Sequence, residues 1–213
     1  MSSTGIFWIR EDFRIENNPA LSYATQNHEN VIALYIYNNN DFDKKREAQK
    51  WWVSKSLESL EKELSEYKIS LEIVKGDEIE IFSKVNKKDK ISVYWNKIYE
   101  PDVITKGKKI RDIFIKNEIS YKYFKGNILT EFQDVTKNDG TPFKVFTPFW
   151  RNAEQVYLNQ PPGGNYTVKK KTKKVSYFKK CIETKNILPK NNWYKKFEKY
   201  WKVSENESKK VLK

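Results

Sequence analysis

The sequence predicts an α/β fold, a Rossmann-like, doubly wound sheet of five parallel strands, followed by a basic, loop-rich linker and the start of a helical region. Three observations predict it. Short runs rich in β-branched and aromatic residues recur through about the first 125 positions, stretches with helical periodicity separate them, and turn signals crowd the chain thereafter. Strands that alternate with helical segments are the mark of βαβ units, whose crossovers build a parallel sheet.

The expected strands are 5–10 (GIFWIR), 31–37 (VIALYIY), 69–74 (ISLEIV), 91–95 (ISVYW) and 120–124 (SYKYF). Their side chains are of the kind that packs well on a pleated surface. Between the second and third, residues 44–67 space Val53, Leu57, Leu60, Leu64 and Tyr67 by fours and threes, a single apolar stripe along a helix that packs on the sheet. Trp51 and Trp52 fall one on this stripe and one at its margin. Residues 102–117 form a further helix, with Pro101 near its first turn and Ile104, Ile110 and Phe114 as partial core positions. Segments 18–26 and 77–87 complete the crossovers. After residue 125, NDGTP, QPPGGN and LPKNN read as loops, not as further sheet. The expected division is an α/β domain over 1–150, then a linker and a truncated helical start over 151–213.

Composition narrows the chemistry. The chain is 38% hydrophobic but holds 7 Trp, 13 Tyr and 12 Phe, whose large buried areas sustain a core. No apolar run approaches the roughly 18 residues that cross a bilayer, and the start MSSTG is not a secretory signal, so a cytoplasmic protein without a membrane partner is expected. Cys181 is the sole cysteine, which rules out an intrachain disulfide and a thiolate metal cluster; no metal is expected. His28 is the sole histidine and reads as a solvated loop residue in QNHEN. Ser-His-Asp and Cys-His nucleophile systems need a histidine placed by a third group, and are therefore excluded.

The net charge of +13 is unevenly placed: residues 151–213 carry 17 Lys or Arg against 5 Asp or Glu, and residues 1–150 carry 24 against 23. The run KKKTKK, with Lys169, Lys170, Lys171, Lys173 and Lys174, admits two readings. One is weak contact with a nucleic-acid backbone through counterion release. The other is a solvated linker in a chain that overuses lysine throughout. Neither G-x-G-x-x-G nor a P-loop occurs, so a ligand site is sought beyond the carboxyl ends of the strands, where the strand order reverses.

Three segments carry a resemblance. FWIREDFRIENNPAL (7–21) is similar to the opening motif of the DNA photolyase/cryptochrome family, VYWNKIYEP (93–101) resembles its fourth-strand exit, and KGNILTEFQDVTKNDGTPFKVFTPFWR (125–151) resembles its Lys-Val-Phe-Thr-Pro-Phe loop. Their order and spacing agree over about the first 150 residues. The chain resembles the N-terminal antenna domain of that family, with wording closest to the class I cyclobutane pyrimidine dimer photolyases.

The resemblance implies light-driven repair of UV-damaged DNA, in which photoexcited reduced FAD passes an electron to a flipped-out lesion. The FAD pocket is expected in a helical domain after residue 213, so this chain alone is expected to lack FAD, catalytic residues and activity. The α/β domain is expected to hold a light-harvesting chromophore, a folate or a deazaflavin. The resemblance assigns Asn96 and Glu100 to its ring and Lys97 to a polyglutamate tail, with Arg10 and Asp12 contributing from the neighbouring strand. Asp102 and Val103 stand where folate binders carry Asn-Glu, a departure from the usual folate mode. Arg10, Asp12 and Arg14 also read as a simple surface ion cluster. Phe143, Phe146, Phe149 and Trp150 read as core or domain-interface packing rather than a stacking platform, and Trp193 and Trp201 are assigned no electron relay. Two other functions share these features: a cryptochrome-type blue-light photoreceptor and a stand-alone nucleotide-binding module.

Overall fold

The computed structural model describes residues 3–38, 47–85, 87–159 and 166–212. The expected helix start at 44–46 and the QPPGGN turn lie outside these residues. The sheet runs β5-β4-β1-β2-β3-β6, with β1 (Thr4–Ile9), β2 (Asn30–Tyr37), β3 (Ser70–Lys75), β4 (Ile91–Asn96) and β5 (Ser120–Phe124) all parallel. These are the five expected strands, each within a residue of its expected bounds. A sixth, β6 (Cys181–Ile182), joins the far edge antiparallel to β3.

Alternation along each strand sorts the core onto two faces. Phe7, Ile9, Ala33, Tyr35 and Ile73 face α1 (Pro19–Asn27) and α2 (Glu47–Glu66), packing on Leu21, Ala24, Leu57, Leu60 and Leu64. Ile6, Trp8, Leu34, Val93 and Trp95 face α3 (Glu78–Ser83) and α4 (Pro101–Lys116), packing on Phe82, Ile110 and Phe114. Trp51 is buried on α2 and Trp52 is exposed. Ile104 departs from expectation, being 40% exposed. Six residues of helix turn it about 240° from Ile110, off the stripe that Ile110 and Phe114 share. His28 also departs: it is half-buried, with Nε2 2.7 Å from the Tyr94 hydroxyl and Nδ1 2.9 Å from Ser3 Oγ.

Past residue 125 the loop expectation fails in two places. Helix α5 (Phe146–Asn159) forms with Pro148 in its first turn, where the missing amide hydrogen breaks no helical bond. Only Ala153 of α5 is buried, and Phe146 and Trp150, 70% and 51% exposed, stack on each other in the open; the core reading of this aromatic group is overturned.

The second place is the strap 166–212, which wraps the β3 edge. Ser22 Oγ donates to Thr167 O at 2.8 Å and Lys171 N to Tyr67 O at 2.8 Å. Tyr177 N and Phe178 N, at 3.0 and 2.9 Å, donate to the carboxylate of Glu72, buried on β3. Ser54 Oγ on α2 donates to Thr184 O, and Ile187 and Tyr194 are buried. The short helix α6 (Glu205–Val211) ends the wrap, with the Glu205 carboxylate accepting from Ile15 N at 2.8 Å and Glu16 N at 3.2 Å. A two-residue strand is too short to show alternation, which is why β6 is invisible to periodicity.

Candidate functional site

Strand order turns back between β1 and β4, the place where an open α/β sheet leaves a crevice at its carboxyl edge. Arg10 and Asp12 leave β1 there, while Asn96 ends β4 and Lys97 follows it. Asn96 is 4% exposed and its amide is fully engaged. Its Nδ2 donates to Asp12 Oδ2 and to Asn18 Oδ1, the latter at 2.9 Å, and its Oδ1 accepts from Ala20 N at 3.2 Å. Asn18 in turn accepts from Leu21 N as the cap of α1 and donates to Arg14 O. One buried amide therefore ties the loop after β1, the start of α1 and the end of β4 together. Burial pushes the Asp12 carboxyl above its ordinary range, against the hydrogen bonds from Asn96 and from Arg10 N. Asn96 and Asp12 position the loop with their own polar atoms.

Lys97 is also committed. Its Nζ pairs with Glu131 Oε1 at 2.8 Å, and the Tyr99 hydroxyl donates to the same oxygen at 3.0 Å while accepting from Gly126 N. Burial above all, with the Glu131 charge beside it, pushes the Tyr99 phenol up to about 12. A Cβ at Gly126 would lie 2.0 Å from Lys97 O, so the chain closes here only on glycine.

The expected site residues therefore divide between two adjoining spaces. Arg10, Asp12, Asn96 and Lys97 border a cavity of about 70 Å³, together with Arg14, Gly126 and Asn127. Glu100 is absent from that wall. It is exposed at the N-cap of α4, makes no side-chain capping bond, and borders a second cleft of about 390 Å³. Trp8, Tyr35, Asn38, Glu78, Asp102 and Lys106 line this larger cleft, and Arg10, Glu11 and Ile98 form the wall between the two. Ligand pockets generally measure roughly 300–1,000 Å³, so only the larger cleft admits a ring system.

The larger cleft is lined by both charged and aromatic residues. Burial works against the Lys106 ammonium, but ion pairs with Glu78 and Asp77, the latter at 3.0 Å, hold its pKa above the ordinary value. Burial lowers the pKa of Arg10, whose guanidinium lies 4.2 Å over the Trp8 ring, while Glu78, Asp12 and Glu11 oppose the shift. Burial also raises the Tyr35 phenol. Asn38, Glu78 and Lys106 were not anticipated. Asn38 follows β2 and Glu78 opens the helix after β3, so the strand-end rule that pointed to β1 and β4 applies to them equally.

Comparison with known proteins settles the family. The family model described as DNA photolyase matches residues 5–165, three quarters of the chain. This chain belongs to the DNA photolyase family. A deoxyribodipyrimidine photo-lyase of Agrobacterium fabrum is 28% identical over 208 residues, covering 94% of this chain and 42% of that protein. Cryptochrome-1 of Arabidopsis thaliana is 26% identical over 152 residues, covering 70% of this chain and 22% of that protein. Among solved structures, a bacterial class III photolyase from Agrobacterium tumefaciens matches with a TM-score of 0.84 at 26% identity, covering 100% of this chain and 44% of that one. The photolyase-family chain thus spans less than half the length of these relatives. Of these three matches the full-chain structural one is described as class III, whereas the motif wording resembles class I.

On this photolyase-type domain the basic run is partly tied down. Lys171 Nζ donates to Thr25 O and His28 O, at 2.6 and 2.7 Å, where a cation suits the C-terminal end of α1. Lys174 Nζ donates to Ser65 Oγ at 2.8 Å. Lys169, Lys170 and Lys173 are exposed. Among the described residues no group of His, Cys, Asp and Glu is arranged to hold a metal, and no helix is long and apolar enough to cross a membrane.

Proposed function

We propose that this chain is the pigment-holding part of a cytoplasmic, light-driven deoxyribodipyrimidine photolyase that repairs UV-induced pyrimidine dimers in DNA. The reading rests on membership of the family and on one observation above all: a cleft of about 390 Å³ at the strand ends, bordered by Trp8 and Tyr35 and by the polar side chains Arg10, Asn38, Glu78 and Lys106. A cleft of this size with apolar and aromatic residues and a few polar groups fits a flat heteroaromatic such as a folate or deazaflavin. The bound pigment would supply absorption in the near-ultraviolet or blue and pass excitation to FAD. Trp8 and Tyr35 would border the ring from the ends of β1 and β2, Arg10, Glu78 and Glu100 would meet its polar edge, and Asn96 and Asp12 would hold the loop that carries Arg10.

The remaining assignments belong to the same proposal. The α/β domain takes 1–150 and the linker with the first part of the FAD-binding domain takes 151–213. The FAD and lesion pockets belong to the part of family members that this chain does not span. The exposed Phe146, Phe149 and Trp150 face is what that part would cover. Lys169, Lys170 and Lys173 would give weak, salt-sensitive DNA contact, with Lys171 and Lys174 holding the segment in place. Titration of the chain with a folate and with a deazaflavin analogue tests the pigment reading. Saturable binding of one of them, weakened in Trp8→Ala, is expected; no binding by either overturns it. A cryptochrome-type photoreceptor is the second reading, favoured by the match to Cryptochrome-1. Repair of a dimer-containing oligonucleotide under blue light by a full-length version decides between the two.

A further inference from the structure

We infer that Arg10 and Arg14 form an oxyanion subsite in the small cavity beside the pigment cleft, and that it takes the phosphate or carboxylate of the ligand whose ring lies in that cleft. The second half rests on the function proposed above; the first stands without it. The cavity of about 70 Å³ is too small for a ring. At a liquid share of about 30 Å³ per water, it has room for a pair of waters or one tetrahedral or planar oxyanion.

The cations around the two spaces are not equivalent. Lys97 is neutralised by Glu131 and Lys106 by Asp77 and Glu78. Among the described residues neither arginine has an ion pair with a carboxylate. Arg14 has a buried Nε without a hydrogen-bond partner, and its guanidinium donates only to Asn17 O, at 3.5 Å. The Arg10 guanidinium lies 4.2 Å over the Trp8 ring, with its donors unengaged by any carboxylate. Desolvated guanidinium donors without acceptors are unfavourable, and a planar fork of N–H groups suits an oxyanion better than any other ligand class.

Two carboxylates share the wall, Glu11 and Asp12. Asp12 is engaged by Asn96 Nδ2 and by Arg10 N, and Glu11 is exposed to solvent, so neither neutralises the arginines by contact. The backbone that carries Arg14 is also held in place. Asn18 Nδ2 donates to its carbonyl at 2.9 Å, and Glu205, from the far end of the strap, fixes the next two amides, Ile15 N and Glu16 N. Such preorganisation removes part of the ordering penalty of binding. Because Arg10 borders both spaces, a ligand with a flat ring and an acidic group would engage the two at once.

Inorganic phosphate tests the subsite on the full chain. It should raise the melting temperature of wild type above that of a chloride control at equal ionic strength, fail to do so in Arg14→Gln, and do so partly in Arg14→Lys. FMN against riboflavin, and folate against pteroate, compare the same rings with and without phosphate or carboxylate. The acidic member of at least one pair should bind about tenfold tighter, a preference lost in Arg14→Gln, as expected for one charge-assisted contact. The pair showing the preference identifies the oxyanion. Protection of Arg14 from phenylglyoxal by phosphate, mapped by mass spectrometry on wild type, gives the same answer should Arg14→Gln fail to fold. A phosphate effect that depends on Arg14 while no ring compound binds upholds the subsite and removes the pigment. Equal affinities within both pairs, with no phosphate effect or protection, overturn the subsite and leave the pigment reading standing.

Discussion

The sheet with its four crossover helices and the strap that follows α5 are held by different forces. Between Thr4 and Phe124, side chains such as Trp8, Phe82, Leu57 and Phe114 are almost wholly buried, and their contacts are apolar and many. Between Tyr166 and Leu212, few side chains are buried, and the segment is pinned at separate points by polar groups of the domain beneath: Glu72, Thr25, Ser54 and the loop at Ile15. Burial is non-directional and collective, whereas each polar pin depends on one geometry. The first region should therefore unfold as a unit, and the second should come loose one pin at a time.

Phe82→Ala is the sharpest test of the first half of that contrast. Phe82 is fully buried between Trp8 and Phe114, with ring centroids 4.9 and 5.0 Å away. Its truncation should cost about 3–5 kcal/mol, read as a lowered urea midpoint with residues 4–124 losing structure in one transition. A change under about 1 kcal/mol would show that the face packed on α3 adds little to the core.

Glu72→Ala addresses the second half. The substitution leaves two strap amides without their acceptor and removes a buried charge, so a smaller loss of about 1–3 kcal/mol is expected. Limited proteolysis should then cut near residues 170–182 much faster than wild type while the near-ultraviolet spectrum of the sheet domain stays unchanged. If the domain and strap were lost together, the strap would be part of the core and the distinction drawn here would fail. Glu72→Gln, which keeps an acceptor, should fall between the two.

This difference in force explains what the sequence made legible. The five parallel strands and the α2 stripe are periodic in apolar residues, and periodicity is what a single sequence displays best. The strap is not periodic. Its edge strand depends on Glu72 meeting amides more than a hundred residues later, a pairing that no local pattern encodes. The strand-end rule points to this crevice, and the fold gathers Arg10, Asp12, Asn96 and Lys97 at it. What was hidden is that Asn96 and Lys97 are taken up by Asn18 and Glu131, and that Glu100 opens on the neighbouring cleft. Those facts depend on which side chains arrive from other loops, and so on the finished fold.

Glu100→Ala sharpens the division within the site. Without a capping hydrogen bond, Glu100 can stabilise α4 only through the helix dipole, by about 0.3–1 kcal/mol. The melting temperature should hardly move, whereas affinity for a pigment in the larger cleft should fall severalfold. A clear loss of stability with unchanged affinity would make Glu100 a helix-start residue and nothing more.

The smallest effect expected is at His28, where the two regions meet. The ring lies under β1 and against Tyr94, and the ammonium of Lys171 from the strap bonds the His28 carbonyl. Burial first, and the Lys171 charge second, lower its pKa from the ordinary 6.5. In the window between the lowered and ordinary values the unfolded chain binds more protons than the native one, so stability is fully present above about pH 6.5 and is lost as pH falls through the folded value. Asp12 works in the opposite sense, since its raised pKa means the native state takes up a proton first on acidification. Comparison with a His28→Gln variant removes that contribution, because Asp12 is common to both. Wild type should lose stability relative to the variant as pH falls below the ordinary value of 6.5, and Lys171→Met should lessen the loss by removing the second cause of the shift. Urea midpoints across this range supply the measurement. Parallel profiles for wild type and His28→Gln would mean that the strap and the sheet are not coupled through this histidine, leaving Lys171 as a helix-end contact alone.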